Sequence, residues 1–424
     1  MIIFIDDSMV FKNSPGFNKE RFEMNTCKTD KKNKENKKYI YFDHAATTPV
    51  LPEVAAEINK CLLQNFGNAS EPHQPGRAAK EILENSRSTL ASILGSQAGE
   101  ITFTSGGTES DNLAVFGIAR AYKNKGNHLI ASVIEHPAVI MPLKYLEKNG
   151  FKVTYLPVDS YGFVDPENLK KAITPQTILV SIMYANNIVG TIQPISEIGR
   201  ILSEKNIIFH TDAVQCFCNL KTDVDELGVD LLSLSGHKIY GPKGVGAIYI
   251  RKGTKIIPEI FGGGQEKGRR SGTENIPGIA GLAKAARINS TNLGEKIKKI
   301  STMRDYLKDK IFKRIPDTIL NGHAEQRLPG NLNVSFKYIE GEAIVLRLDA
   351  MGIAVSSGSA CSSSSMKPSS TLVAMGISTG EAFGSLRITL GFENTYEEID
   401  YFTDCLENTI SDLRKISPLY KKEM

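Results

Sequence analysis

The chain has 424 residues, of which 41% are hydrophobic and 23% charged, a composition that predicts a large buried core and excludes collagen-like, coiled-coil and wholly disordered proteins. Its net charge of +4 gives no general electrostatic basis for binding nucleic acid. Six cysteines are too few for a disulfide scaffold, and the lack of a long apolar run excludes a membrane span, so we expect a cytoplasmic protein.

The first 38 residues differ from the rest of the chain. They carry nine Lys or Arg and six Asp or Glu, and residues 28–38 contain six lysines and no apolar residue. This composition predicts a disordered, solvated extension over residues 1–38. An arm that binds a polyanion is the alternative, and Met24 is an alternative start of the chain.

Between Tyr39 and residue 295, short apolar runs alternate with amphipathic segments of helical length. This alternation is typical of an α/β protein whose parallel strands are joined by crossover helices. We therefore predict a large domain over residues 53–295, with a mixed, mostly parallel sheet. Helices are predicted over 53–65 and 78–94, and strands over 100–103, 129–134, 152–156, 178–183, 207–210, 231–234 and 245–250.

After residue 295 the pattern changes to a mixture of longer helices and isolated strands. This pattern indicates a smaller α+β domain, which we assign to residues 39–52 and 296–424. Its predicted elements are a helix over 296–315, a strand over 331–336, a helix over 342–350, a Ser-rich loop over 356–365 and a final helix over 396–416.

A pair of glycines lies between the strand at 100–103 and a predicted helix. The sequence from Thr104 to Ala114 is TSGGTESDNLA. The backbone N–H groups of Gly107 and Thr108 can approach a phosphate closely there, and the partial positive charge of a helix N-terminus favours that ligand. An ordinary helix start capped by Ser or Thr is the alternative.

Two charged residues follow neighbouring strands. Asp212 comes directly after the strand at 207–210, and Lys238 follows the strand at 231–234. Taken singly, they are also consistent with a helix-capping aspartate and a turn lysine. Together with the phosphate motif they match what pyridoxal phosphate (PLP) requires, which is a lysine for the Schiff base and an acid that pairs with the protonated pyridine nitrogen.

Three further residues are candidates on their own. Cys361 lies at the centre of the Ser-rich loop, where a thiol can ionise and react, although it is also consistent with an incidental loop cysteine. His136 ends a strand and could stack on a flat cofactor, move protons or cap a helix. Arg387 lies among apolar residues and needs an anionic partner, either a substrate carboxylate or an internal acid.

Together, these motifs resemble those of the cysteine desulfurases, PLP enzymes of the class V aminotransferase group that supply sulfur for iron–sulfur clusters and thiolated tRNA. The resemblance runs from about Tyr39 to Leu419. It implies fold type I of the PLP-dependent transferases, L-cysteine as substrate and a homodimer. Its motifs are YFDHAATTP at 41–49, TSGGTESDNLA at 104–114, SIMYANN at 181–187, SGHKIYGPKG at 235–244, GGGQEKGRRSGT at 262–273 and SSGSAC at 356–361.

The resemblance also implies a role for each matching residue. Lys238 would hold PLP, Asp212 would face the pyridine nitrogen, and His136 would stack on the ring. Arg387 would hold the substrate carboxylate, and Cys361 would accept the sulfur. The remaining implied contacts are Asn187 and Gln215 at the ring hydroxyl, Asn187 also beside the substrate, and Gly107, Thr108, Ser235, His237 and the neighbouring subunit's Thr273 at the phosphate.

The implied reaction converts L-cysteine to L-alanine and leaves a persulfide on Cys361. An acceptor protein, either an iron–sulfur scaffold or a tRNA-thiolating enzyme, would then take the sulfur. The resemblance implies no metal site, except for a transient iron–sulfur contact at Cys361. Selenocysteine lyase and cysteine sulfinate desulfinase are alternatives on the same scaffold that depend less on this cysteine, and a non-catalytic sulfur carrier is a third.

Two segments depart from the family pattern. Ile188 stands where the family usually has Glu, and residues 67–73 are GNASEPH in place of the usual GNPSSxH. We expect both to lie near the cofactor entrance and to affect substrate access or rate.

Overall fold

Strands and helices alternate along the chain from Tyr39, as the sequence predicts. A computed structural model describes residues 39–357 and 368–420. The strands are β1 (Ile40–Tyr41), β2 (Ile101–Thr104), β3 (His128–Ser132), β4 (Lys152–Leu156), β5 (Thr177–Ser181), β6 (Ile208–Asp212), β7 (Leu231–Ser235), β8 (Gly246–Ile250), β9 (Thr318–Asn321), β10 (Asn331–Phe336), β11 (Ile353–Ala354), β12 (Ser356–Ser357) and β13 (Ser385–Thr389). The α-helices are α1 (Pro52–Gln64), α2 (Gln74–Leu94), α3 (Gly107–Ala121), α4 (Pro137–Lys148), α5 (Pro166–Ala172), α6 (Ile195–Ser203), α7 (Val224–Leu227), α8 (Ile276–Ser290), α9 (Leu293–Arg314), α10 (Gly341–Asp349), α11 (Ser370–Ala374), α12 (Thr379–Phe383) and α13 (Tyr396–Ile416).

The largest sheet has seven strands in the order β2-β8-β7-β6-β5-β3-β4. Within it β8 runs antiparallel to both of its neighbours, and the other pairs are parallel. Every residue of β3, β5, β7 and β8 is buried, because helices cover both faces of a sheet of this kind. The prediction of an α/β fold with a mixed, mostly parallel sheet is therefore confirmed.

Local sequence signals fix the ends of the helices that lie next to this sheet. His136 caps α4 by accepting a hydrogen bond from the backbone N–H of Ala138 at 3.1 Å, and Pro137 occupies the first turn, where its missing N–H costs nothing. Gly95 ends α2 in the left-handed conformation with φ of 69°, which glycine adopts without strain.

A second sheet, of four antiparallel strands in the order β12-β13-β10-β9, lies in the C-terminal part of the chain. Its core is formed with residues of α9, α10 and α13, and Phe42 from the N-terminal side packs edge-on against Phe402 of α13. A separate pair, β1 with β11, is parallel. The helices expected over 296–315 and 396–416 and the strand expected over 331–336 are confirmed as α9, α13 and β10, whereas the predicted domain boundaries stay a prediction.

The parallel strands bring distant segments to one edge of the large sheet. The carboxyl ends of β2, β3, β5, β6 and β7 all point to that edge, because these strands share one direction. In open α/β sheets, ligands bind outside the carboxyl ends of the strands. The segments that follow these five strands contain most of the residues predicted for the site.

Candidate active site

A cavity of about 240 Å³ lies at this edge of the sheet. Nine of the twelve residues predicted for the site line it, and the other three do not line it or lie outside the described residues. The nine are Gly107, Thr108, His136, Asn187, Asp212, Gln215, Ser235, His237 and Lys238. The cavity is also lined by Asp111, Met183, Ala185 and Val214.

The N-terminus of α3 forms one end of the cavity. Among the described residues no side chain caps this helix, so its first turn presents backbone N–H groups at Gly107 and Thr108. Gly106, which precedes it, has φ of 153°, a conformation that residues with side chains rarely adopt. Gly246 of β8 packs against the same loop, since a Cβ added there would be 2.7 Å from the Cα of Gly106. An anion such as phosphate fits this end of the cavity.

Lys238 is held by backbone oxygens. It ends a short 3₁₀ turn that directly follows β7. Its Nζ donates hydrogen bonds to the carbonyl oxygens of Ala45 at 2.5 Å and Ala46 at 2.7 Å. The turn itself is fixed by Thr48, whose backbone N–H and hydroxyl both donate to the carbonyl of His237. Residues 45–48 therefore hold the lysine at the cavity wall.

Asp212 is the last residue of β6, and its carboxyl group is buried at the floor of the cavity. Its Oδ1 accepts a hydrogen bond from the backbone N–H of Val214 at 2.9 Å. Burial raises the pKa of Asp212, while that N–H and the nearby His136 and Lys238 oppose the rise. A cationic ring nitrogen would add a second stabilising partner for its charged form.

Two histidines of the cavity are neutral at neutral pH. The Nδ1 of His136 accepts the capping hydrogen bond from Ala138, which assigns its proton to Nε2. Burial lowers the pKa of His136, and the charge of Asp212 partly offsets this. Burial also lowers the pKa of His237 to about 4, with Lys238 contributing in the same direction. A neutral imidazole can stack on a flat ring or accept a proton.

Gln215 and Asn187 connect the cavity to the N-terminal segment and to β13. The Nε2 of Gln215 donates to the carbonyl of Ala45 at 3.0 Å, the same oxygen that Lys238 contacts. The backbone carbonyl of Asn187 accepts from Nη1 of Arg387 at 3.2 Å. Asn187 thus places Arg387 beside the cavity wall, although Arg387 does not itself line the cavity.

Arg387 is paired with an acid of the same chain. Its side chain is 4% exposed, and Nη2 lies 2.9 Å from Oδ1 of Asp43. Of the two alternatives raised by the sequence, an internal acid is therefore present next to this arginine. Its role toward a substrate carboxylate stays a prediction.

Two predicted residues lie away from the cavity or outside the description. Thr273 is exposed in the loop between Arg270 and α8 and does not line the cavity of its own chain. Cys361 lies in residues 358–367, outside the described residues. Of the other cysteines, Cys61 lies in α1 and Cys405 in α13, as expected from their apolar helical patterns.

The sequence analysis missed a buried acidic cluster behind Asp212. Asp111 of α3 is 1% exposed, lines the cavity and has its Oδ1 3.6 Å from Nε2 of His210. Burial and the charge of Asp212 raise the pKa of Asp111, and burial raises the pKa of Glu135 to about 8. Since two carboxylates near one buried cavity repel each other, the charge of Asp212 adds to the burial that favours the protonated form of Asp111. The only sequence signal is the position of Asp111, one helical turn after Gly107.

Within residues 39–357 and 368–420, no helix is long and apolar enough to cross a membrane. In the same residues no group of three or more His, Cys, Asp or Glu side chains is arranged to hold a metal ion.

Comparison with known families and proteins gives one consistent result. Residues 40–402 match the family described as Aminotransferase class-V. The chain is 52% identical to "Cysteine desulfurase IscS" of Dictyoglomus turgidum over 387 residues, which are 91% of this chain and 98% of that protein. It is 50% identical to the protein of the same name from Methanosarcina thermophila, over 94% of this chain and 98% of that protein.

Solved structures agree with the sequence matches. A structure described as "NIFS-LIKE PROTEIN" superposes with a TM-score of 0.83 at 40% identity and covers 88% of this chain and 100% of that one. Another, described as "SspA in complex with cysteine", has a TM-score of 0.75 at 37% identity and covers 83% of this chain and 98% of that one.

Proposed function

This chain belongs to the class V aminotransferase family, and within it to the cysteine desulfurases, and we propose that it removes sulfur from L-cysteine with PLP as its cofactor. The products are L-alanine and a persulfide on Cys361. The observation that carries the proposal is that nine residues from five separate segments line one cavity at the carboxyl edge of the sheet. The match to the class V aminotransferase family and the superposition on the NifS-like structure support it.

The residues of the cavity fit PLP in three respects. The uncapped first turn of α3 offers backbone N–H groups to a phosphate. The buried carboxyl of Asp212 lacks a cationic partner in direct contact among the described residues and suits a protonated ring nitrogen. Lys238 lines the same cavity as these two ends and would hold the aldehyde carbon of the cofactor. Ser235 and His237 would add contacts at the phosphate.

When bound, PLP stabilises the negative charge that develops on the Cα of an amino acid after proton loss. Lys238 Nζ takes that proton, which requires it to leave the carbonyls of Ala45 and Ala46. Asp212 would pair with the protonated ring nitrogen of PLP, and burial shifts the pKa values of Asp111 and His210 behind it toward their neutral forms. His136 would take the proton of the substrate thiol at Nδ1, which must first release the capping N–H of Ala138.

Sulfur transfer then occurs at Cys361. Its thiolate attacks the sulfur of the substrate, an S–S bond forms, and the Cβ–S bond of the substrate breaks. The electron pair of the broken bond stays on the carbon skeleton, which takes up protons and leaves as alanine. Arg387 holds the substrate carboxylate during these steps, and Asn187 orients the substrate next to it.

Dimerisation and sulfur delivery are parts of the same proposal. Thr273 is exposed and lies outside the cavity of its own chain, which is consistent with a contact to the phosphate site of a second copy. The persulfide passes to an iron–sulfur scaffold or a tRNA-thiolating protein in the cytoplasm. The relatives named IscS and the structure with cysteine support the substrate class.

The proposal is tested by comparing the wild-type protein with Cys361→Ser for sulfide release from L-cysteine in the presence of a thiol reductant. We expect the variant to keep the visible absorption of the cofactor and to lose sulfide release by at least 100-fold. A selenocysteine lyase or sulfinate desulfinase depends less on this cysteine, so full activity in Cys361→Ser would contradict the proposal. Cys405→Ser, at a half-buried cysteine of α13, is the matched control.

A further inference from the structure

The guanidinium group of Arg387 is shared between two parts of the chain. Its Nη2 donates to Oδ1 of Asp43 at 2.9 Å, and its Nη1 donates to the carbonyl of Asn187 at 3.2 Å. Its Nε is buried and has no acceptor among the described residues. The arginine therefore keeps one N–H, at Nε, without an acceptor among the described residues.

The ion pair between Arg387 and Asp43 has a weaker geometry than a second buried pair of the described residues, Arg87 with Glu266. Arg87 contacts Glu266 through two parallel hydrogen bonds, at 2.7 and 2.8 Å, and both side chains are nearly fully buried. Asp43 uses one oxygen at one nitrogen of Arg387, and its side chain is 19% exposed. A bidentate pair fixes both partners, whereas a single contact at a partly hydrated carboxylate can exchange for another carboxylate.

The turn that contains Asp43 also contacts the cofactor lysine. Residues 43–46, hereafter the 43–46 turn, are joined to the strand of Arg387 by a hydrogen bond from the N–H of Ala45 to Oγ1 of Thr389 at 2.9 Å. The carbonyls of Ala45 and Ala46 accept from Nζ of Lys238. One turn of four residues thus contacts both residues that an amino-acid substrate must engage, the arginine and the lysine.

From this arrangement we propose that Asp43 tunes the specificity of the site by lowering its preference for ligands with a carboxylate, because it competes with the substrate carboxylate for Arg387. Asp43 presents to the arginine the same chemical group that an α-amino acid presents. A ligand can pair with Arg387 only if its own carboxylate displaces Asp43. Asp43 therefore lowers the affinity for amino acids and leaves the affinity for amines without a carboxylate unchanged. This inference rests on the proposed function, because it assumes that Arg387 receives the substrate carboxylate.

The test compares two pairs of ligands that differ only by a carboxylate, on the PLP-loaded enzyme. L-Alanine and ethylamine form one pair, L-cysteine and cysteamine the other, and dissociation constants are read from the absorbance of the bound cofactor or from KM. In Asp43→Asn we expect the dissociation constant for L-alanine and the KM for L-cysteine to fall by about fivefold, because a like charge is removed from beside the ligand. Values for ethylamine and cysteamine stay within about twofold.

The control is Tyr41→Phe. The single O–H of Tyr41 is shared between the carbonyls of Asp43 at 3.0 Å and Thr47 at 2.9 Å, so this variant loosens the 43–46 turn without changing its charge. It should change binding of both members of each ligand pair equally. Asp43→Ser gives the same comparison as Asp43→Asn if the amide is not tolerated in the fold.

A second readout is independent of the cofactor. Removing Asp43 leaves the buried Arg387 without an anion, so the melting temperature of the cofactor-free protein should fall, and sodium acetate should restore it more than an equal concentration of sodium chloride. Equal changes for ligands with and without a carboxylate, together with no preference for acetate, would overturn the proposal. That result would leave the proposed function untouched, because persulfide formation on Cys361 is measured in a separate experiment.

Discussion

Gly246 packs closely against the loop that opens α3, and replacing it by alanine would displace that loop. A Cβ at position 246 would be 2.7 Å from Cα of Gly106 and 2.6 Å from the carbonyl oxygen of Leu234. Ordinary van der Waals contact begins at 3.4 Å, so the loop must move by about 0.7 Å, the difference between 3.4 and 2.7. Both neighbours are backbone atoms, which cannot rotate away as the end of a side chain can.

The size of the effect follows from this displacement. Overpacking of this kind costs about 1–3 kcal/mol of folding free energy. Because the displaced loop positions the N–H groups of Gly107 and Thr108, we expect the dissociation constant for PLP to rise about tenfold, which corresponds to about 1.4 kcal/mol.

The assay titrates cofactor-free protein with PLP and follows the visible absorbance, alongside urea unfolding of the same sample. Gly294→Ala is the control, since a Cβ added there would meet no heavy atom within 4 Å among the described residues outside its own stretch of helix. Wild-type affinity for PLP in Gly246→Ala, with lowered stability, would show that the start of α3 does not hold the phosphate.

Three further predictions concern side chains around the cavity. Ile188 is 5% exposed in an apolar cluster with Leu372 and Met375, so Ile188→Glu should lower the free energy of unfolding in urea by about 2–4 kcal/mol, and unchanged stability would contradict this packing. Burial lowers the pKa of His210 to about 3, so the unfolded chain binds a proton below about pH 6.5 that the folded chain rejects. Because of His210, the free energy of unfolding should therefore fall by about 2 kcal/mol between pH 7 and 5. In His210→Gln the fall over this pH range should be smaller by that amount. Burial and the charge of Asp212 raise the pKa of Asp111 and favour its protonated form, so Asp111→Asn should keep PLP affinity within about threefold, and a tenfold loss in a titration would mean that Asp111 is charged.

Local sequence patterns were sufficient to predict the strands that form the large sheet. The strands predicted at 152–156 and 331–336 agree with β4 and β10 at both ends, and the final helix over 396–416 agrees with α13. Buried parallel strands are continuous apolar runs, and glycine and proline mark where they stop. The two-residue strands β1, β11 and β12 were not predicted, because their pairing depends on partners far away in the chain.

In the candidate site, too, some residues could be predicted from local sequence patterns and others could not. Residues that directly follow strands, such as Asp212 and Lys238, could be predicted, because parallel strands bring their carboxyl ends to one edge. The contact of Lys238 with Ala45 spans 193 residues and that of Arg387 with Asp43 spans 344, so neither leaves a local pattern. Asp111 was missed because one buried acid on an otherwise apolar helix face resembles a polar surface position.

The measurement that tests the central claim most directly is the mass of the protein after one equivalent of L-cysteine is added without reductant. We predict that the peptide containing Cys361 gains one sulfur atom and that an equal amount of L-alanine appears in solution. Borohydride treatment of the resting enzyme should also attach PLP to the peptide containing Lys238. Alanine without a sulfur adduct on Cys361, or an adduct on a different cysteine, would contradict the assignment of this chain as a desulfurase that uses Cys361.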